Sequence, residues 1–237
     1  MKLYELFATG GFVDKFVQTF ITKDRWKMFA EGFGATIFIA FCAAILGITF
    51  GVLFAVAMVY CYHSGKLKIL DRFLDVYLTV IRGTPSLVQL LIMYYIIFTS
   101  IDNGIIVAIL SFGINSGAYV AEIVRGGILA VDKGQTEAGR SLGLSTWTTM
   151  QTIILPQAVK NILPALGNEF ITLLKETSIV GYIAISDLTK AAVSIQTLTY
   201  EPMFPLFSVA AIYLVLVMGM TALQRKLEKK KKKSDRR

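Results

Sequence analysis

The sequence predicts an all-α integral membrane protein with five transmembrane helices. Three observations lead there. Of the 237 residues, 55% are hydrophobic and the mean hydropathy is +0.63, too apolar for a soluble domain of this length. Several runs are long enough to span a bilayer and nearly free of charge. Lys and Arg gather between those runs on alternate sides, as membrane topology requires.

Residues 1–33 read as an N-terminal interfacial segment. Phe12, Val13, Phe16, Val17, Phe20 and Ile21 recur at helical spacing, with Asp14, Lys15, Gln18, Thr19 and Lys23 on the other face. That pattern suits a helix lying on the membrane surface. No secretory signal is expected, because Asp14 and Lys15 interrupt the apolar residues.

Residues 34–224 read as the five-helix membrane domain. Ala35 to Tyr62 is uncharged and long enough to cross. Its Gly47 and Gly51 stand four apart, a spacing for close helix packing. Val76 to Ser100 is the second span, interrupted by Arg82 and kinked at Pro85. Ile105 to Val131 is the third; Glu122 and Arg125, three apart near its end, read as an interfacial ion pair. Ile162 to Ile185 is a weaker fourth span, and Met203 to Leu223 a clean fifth. The segment Asp187 to Glu201 reads as an outer loop.

Residues 225–237 read as a basic cytoplasmic tail, which carries +7 of the formal net charge of +8. With that tail inside, the loops holding Lys66, Lys68 and Arg72, and Lys133, Arg140 and Lys160, are inside too. The N-terminus is then outside, although five basic residues accompany it. The tail also suits contact with anionic membrane lipid. Confined to this tail, the basic excess excludes a nucleic-acid partner. One histidine and two separated cysteines, Cys42 and Cys61, suggest neither a metal site nor a catalytic centre.

The loop at about 133–160 is amphipathic where its neighbours are spanning. It reads as a short helix from Gln135 to Leu142, a turn at Gly143, and a second helix from Thr146 to Ile154, ended by Pro156. Within it Glu137-Ala138-Gly139 is followed by Gly143, Ile153 and Leu155-Pro156. This resembles the Glu-Ala-Ala signature of permease subunits of binding-protein-dependent ABC importers. Gly139 replaces the second alanine, a change that weakens helix propensity by up to ~1 kcal/mol. "IRGTPSLVQLL", "NSGAYVAEIVRGGI" and "ILPQAVKNILPALGNEFITLLKETS" resemble the polar amino-acid branch of that family, the histidine, glutamine and arginine type. The resemblance covers Gly32 to Lys226.

The resemblance implies the type I ABC importer permease fold and a bacterial inner-membrane location. It implies that Glu137, Ala138, Arg140, Gly143, Ile153, Leu155 and Pro156 form a coupling element seated in a groove on a separate ATPase. Two ATPase subunits, a second permease copy or homologue, an extracytoplasmic substrate-binding protein and an amino-acid substrate are the implied partners. The chain has no G-x-x-x-x-G-K-[ST] phosphate loop, so ATP and Mg belong on the partner and no cofactor is expected here.

In the fourth span Glu169 lies about 10 Å in from Ile162, and Lys175 and Glu176 about 20 Å in. Charges at such depth must face protein or water. Asn168, Glu169, Thr172, Lys175 and Glu176 are therefore candidate pathway residues, suited by their mixed charge to a zwitterionic amino acid. Lys175 and Glu176 read first as braces between helices, Asn168 and Glu169 first as pathway residues. A stand-alone secondary amino-acid transporter is the alternative; it would show an inverted internal repeat or broken helices in matching halves, and the sequence shows neither. A membrane enzyme would need a nucleophile with a base or clustered metal ligands, and neither is visible.

Overall fold

A computed structural model describes residues 11–65 and 67–234 of the chain. Residues 1–10 of the expected interfacial segment, Lys66 of the first loop and residues 235–237 of the basic segment lie outside the described residues. The described chain is helical, with no strand among the described residues. In order the helices are α1 (Phe12–Phe16), α2 (Trp26–Ser64), α3 (Lys68–Gly83), α4 (Ser86–Ile92), α5 (Gly104–Leu129), α6 (Lys133–Ser141), α7 (Thr146–Thr149), α8 (Leu155–Glu176), α9 (Leu188–Thr199) and α10 (Met203–Ser234). Wide π turns at Val17–Ile21, Met93–Ile97 and Met150–Ile154 continue α1, α4 and α7. A tight turn at Thr177–Ile183 continues α8.

Three helices, α2, α5 and α10, are each long and apolar enough to cross a membrane; two bent pairs, α3–α4 and α7–α8 with α9, bring the number to five. The paired glycines of α2 do close-pack, and the partner is α5. A methyl on Gly47 would lie 2.8 Å from Ser116 Cβ, and one on Gly51 would lie 2.5 Å from Val120 Cβ. Ile39, Ala43 and Ala44 of α2 pack with Ala108 and Phe112 of α5, Leu90 of α4 and Leu173 of α8. A second cluster joins Ala55 and Val59 of α2 to Val120, Val124 and Ile128 of α5 and to Ile154, Ala158 and Ile162.

The second membrane element is broken at Pro85 more sharply than a kink. Its halves, Lys68–Gly83 and Ser86–Ile97, meet at 109°. Pro85 forces Thr84 into an extended conformation, with φ −118° and ψ 147°. The carbonyls freed at the break find a donor in Gln89. Its amide nitrogen lies 2.6 Å from the Ile81 carbonyl and 3.0 Å from that of Thr84. Asn115 of α5 donates to the Gln89 side-chain oxygen at 2.9 Å, so the corner is tied to the central helix.

The fourth element also differs from expectation. Pro156 does not end the run; it sits in the first turn of α8, where its missing N–H is tolerated. The π turn at Met150–Ile154 immediately before it makes room for the ring. The segment expected as an outer loop holds α9. Asp187 caps that helix, accepting from the backbone N–H groups of Thr189 and Lys190 at 3.0 and 2.9 Å. Leu188 N–H donates to Thr36 of α2 at 3.2 Å, and Gly32 lets α2 pass against the Asp187 backbone.

At the N-terminus α1 and its π turn use both faces. Lys15 pairs with Glu201 at 3.0 Å, Thr19 is fully buried, and Phe20 packs on Phe29. Phe12, Val13, Val17 and Ile21 point outward. Lys15, Thr19 and Phe20 thus hold the segment to the protein, Phe12 sits edge-on against Phe204 at 4.9 Å, and Val13, Val17 and Ile21 stay exposed. At the other end α10 continues as one helix to Ser234, so the first basic residues ride on the last span.

The α2–α5 seam makes a direct prediction. Gly51→Ala should destabilise the detergent-solubilised chain by about 1–3 kcal/mol, the cost of overpacking. Gly34→Ala, where a methyl meets nothing within 4 Å, should be neutral or stabilising. Thermal melting of the two variants checks this.

Candidate functional site

Two regions carry chemistry beyond packing. The first is a polar facet inside the membrane domain. Ser116 of α5 donates to Glu169 of α8 at 2.8 Å. One turn along α5, Tyr119 carries its ring 5.5 Å from the Arg82 guanidinium and stands within electrostatic reach of Glu122, Glu169 and Glu176. Arg82 in turn pairs with Glu122. Arg125 lies 3.8 Å from Asp75.

Glu122 and Arg125 are therefore not paired with each other. Each reaches across to α3 instead, Glu122 to Arg82 and Arg125 to Asp75. Side-chain exposures of 38% for Arg82 and 43% for Glu122 leave this facet open on one side. Charge about two turns from the end of a membrane helix is not left against lipid without a large cost. The open side requires water or a polar protein surface.

The candidate pathway residues divide. Glu169 faces the facet, and Glu176 lies within electrostatic reach of Glu169 and Lys175. Asn168 faces α10 instead, where the Gln224 amide lies 3.4 Å from its side-chain oxygen and 2.9 Å from the Pro164 carbonyl. Thr172 and Lys175 are exposed on that outer side. Gln89, Asn115, Ser116 and Tyr119 were not singled out from sequence. The signal for the last three was present in "NSGAYVAE", where Ser116, Tyr119 and Glu122 recur at helical spacing in an apolar run.

The second region is the hairpin between α5 and α8. Asp132 caps α6 through the Gly134 N–H at 2.6 Å. The helix ends in a Schellman turn: Gly143 takes φ +80°, its N–H donates to Arg140 and the Leu144 N–H to Gly139. Ser145 then caps α7 through the Thr148 N–H at 3.1 Å. Gly139 is buried where α6 meets the next helix; a methyl there would lie 2.7 Å from Thr149 Cγ2. Glycine in place of alanine thus lets the two arms close.

Ile153 is half-buried beside Ile154 and Ala158, and this group fastens the hairpin to α5. Leu155 and Pro156 do not supply that fastening, because both point outward. Glu137, Ala138 and Arg140 are exposed along α6. At the tip Leu142 is 80% and Trp147 69% exposed, although both are large and apolar.

A family profile described as binding-protein-dependent transport system inner membrane component matches residues 47–233. A putative glutamine transport system permease protein of Rickettsia bellii is 42% identical over 207 residues, covering 84% of this chain and 91% of its own. An arginine transport system permease protein of Bacillus subtilis is 37% identical over 209 residues, covering 86% and 93%. The crystal structure of an amino acid ABC transporter with histidines superposes with a TM-score of 0.80 at 41% identity, covering 86% of this chain and 94% of that one. An inward-facing methionine ABC transporter shares the fold, with a TM-score of 0.74 at 18% identity.

The cross-helix pair is testable by a double-mutant cycle. Arg82→Gln and Glu122→Gln should each lower the melting temperature, since each strands one charge. The double variant should lose less than the two single losses added together. Strict additivity would show that the two side chains do not interact.

Proposed function

The chain belongs to the binding-protein-dependent transport system inner membrane components, and from that premise we propose that it is the membrane-spanning subunit of an ATP-driven amino-acid importer. Its relatives named for glutamine and arginine transport support a polar or charged amino acid as the cargo. It works by alternating access, with a second permease copy or homologue completing the path. Two separate ATPase subunits bind ATP and Mg and supply the motion. An extracytoplasmic binding protein delivers the substrate. The hairpin and α10's basic end lie in the cytoplasm, and the N-terminus lies outside.

The hairpin is the observation that carries this reading. ATPase closure is a rigid-body event and moves a membrane helix only by pushing on something stiff. The 137–156 loop is two capped helices closed on each other at Gly139 and continuous with α8. Its exposed apolar tip, Leu142 and Trp147, fits a groove on the ATPase. Glu137 and Arg140 add polar contacts along the same edge. Leu155 and Pro156 set where the hairpin passes into α8.

Within the membrane, Glu169 receives the cargo's ammonium group or basic side chain at the open polar facet. Ser116 orients its carboxylate. Glu176 extends the negative field along α8, and Lys175 braces the outer side with Thr172 and Asn168.

Leu142→Asp with Trp147→Ala should leave the melting temperature unchanged, because neither side chain is packed. Co-purification with the ATPase should fall at least on the order of tenfold, as expected for loss of an apolar anchor. Normal assembly and transport by that variant would remove the docking role. Glu169→Gln should cut transport or change its amino-acid preference while ATPase docking persists. Unaltered rate and preference would remove Glu169 from the path.

A further inference from the structure

Helix α10 meets the rest of the chain with one face and leaves another open. On the inner face Val209 packs against Leu188, Ala192 and Ile195 of α9. Gln224 reaches the Pro164 carbonyl at 2.9 Å and the Glu228 carboxylate at 3.1 Å. The open face holds a shallow recess of about 600 Å³. Val217, Met218 and Ala222 line its upper half, and Arg225, Lys226 and Lys229 its lower half. The change from apolar to cationic falls where the uncharged run ends, at Leu223.

Length fixes what surrounds this boundary. A helix of 32 residues is about 48 Å long, against about 30 Å of bilayer hydrocarbon. The last turns of α10 therefore stand in the headgroup layer and beyond. The recess straddles that layer, acyl-like above and cationic below. The one carboxylate on these turns, Glu228, is engaged by Gln224 and is not among the lining residues. Beyond Lys229 the helix continues to Ser234.

We propose that this recess binds an anionic phospholipid of the leaflet where α10 ends. One acyl chain lies along Val217, Met218 and Ala222. The phosphate is held by Arg225, Lys226 and Lys229. A second copy of the chain is disfavoured as occupant, since it would bring the same cations against these. A free anion would use only the lower half.

Native mass spectrometry of the full chain, extracted from mixed phosphatidylglycerol and phosphatidylcholine vesicles, reads the ratio of bound lipids. Phosphatidylglycerol should be enriched. The triple variant Arg225→Gln, Lys226→Gln, Lys229→Gln should reduce that enrichment on the order of tenfold, given the attraction of each cation for anionic lipid. Its melting temperature should be unchanged. The charge-conserving pair Arg225→Lys, Lys226→Arg should keep the enrichment, and inorganic phosphate should not displace the lipid.

Retained enrichment in the triple variant would overturn the proposal. So would loss of enrichment when only Lys230 to Lys233 are neutralised, which would mean diffuse attraction by the helix end. Displacement by inorganic phosphate would mean a simple anion site. Unchanged lipid ratios in the triple variant, with weakened ATPase co-purification, would mean a protein partner instead.

Discussion

The approach of α2 to α5 is the constraint from which the rest of the membrane domain follows. Gly47 and Gly51 let two long helices touch at backbone distance, where any side chain would separate them. Once α5 is fixed, its residues 114–125 bond to three further helices. The Ile114 carbonyl accepts from Tyr77 of α3 at 2.6 Å. Asn115 holds the corner through Gln89, Ser116 holds α8 through Glu169, and Glu122 and Arg125 pair with α3. Polar side chains inside a membrane domain need partners on neighbouring helices, and α5 supplies them for three helices at once.

Helix α8 links the two candidate sites mechanically. From Trp147 to Glu169 the backbone is helical without interruption, through the π turn and Pro156. At 1.5 Å per residue that is a rod of about 33 Å. Its lower end is the exposed hairpin, and its upper part carries the carboxylate bonded to Ser116. A push at the hairpin on the proposed reading becomes a tilt at Glu169. Leu90 and Phe112, both packed in the cluster that includes Leu173, would feel the same tilt. The corner at Thr84-Pro85 sits beside that cluster, so α3 and α4 are coupled to the motion through packing rather than through a flexible loop.

Much of this was legible in the sequence because it is written in local patterns. Uncharged runs gave the long helices, glycines four apart gave the close seam, and Gly143 gave the turn that its φ of +80° requires. What escaped depends on distant residues. Pro85 announces a break, but the angle of 109° depends on Gln89 and Asn115, which are 26 positions apart. Glu122 and Arg125 look like a pair until α3 offers Arg82 and Asp75. The short α9, with six apolar residues in twelve, is too short to cross a membrane alone and is held by its Asp187 cap and by Thr36 of α2, so from sequence it reads as a loop between spans. Asn168 and Glu169 are neighbours in sequence yet face different helices, and only the position of α10 decides which of them meets the polar facet.

The central claim is that this chain passes an amino acid across the membrane only when a docked ATPase turns over. The direct measurement is uptake of labelled glutamine and arginine into proteoliposomes holding the chain with its ATPase and a candidate binding protein. Uptake that requires ATP on the ATPase side and the binding protein on the opposite side is the predicted result. Equal uptake by the chain alone without ATP, driven by an ion or substrate gradient, would contradict the account.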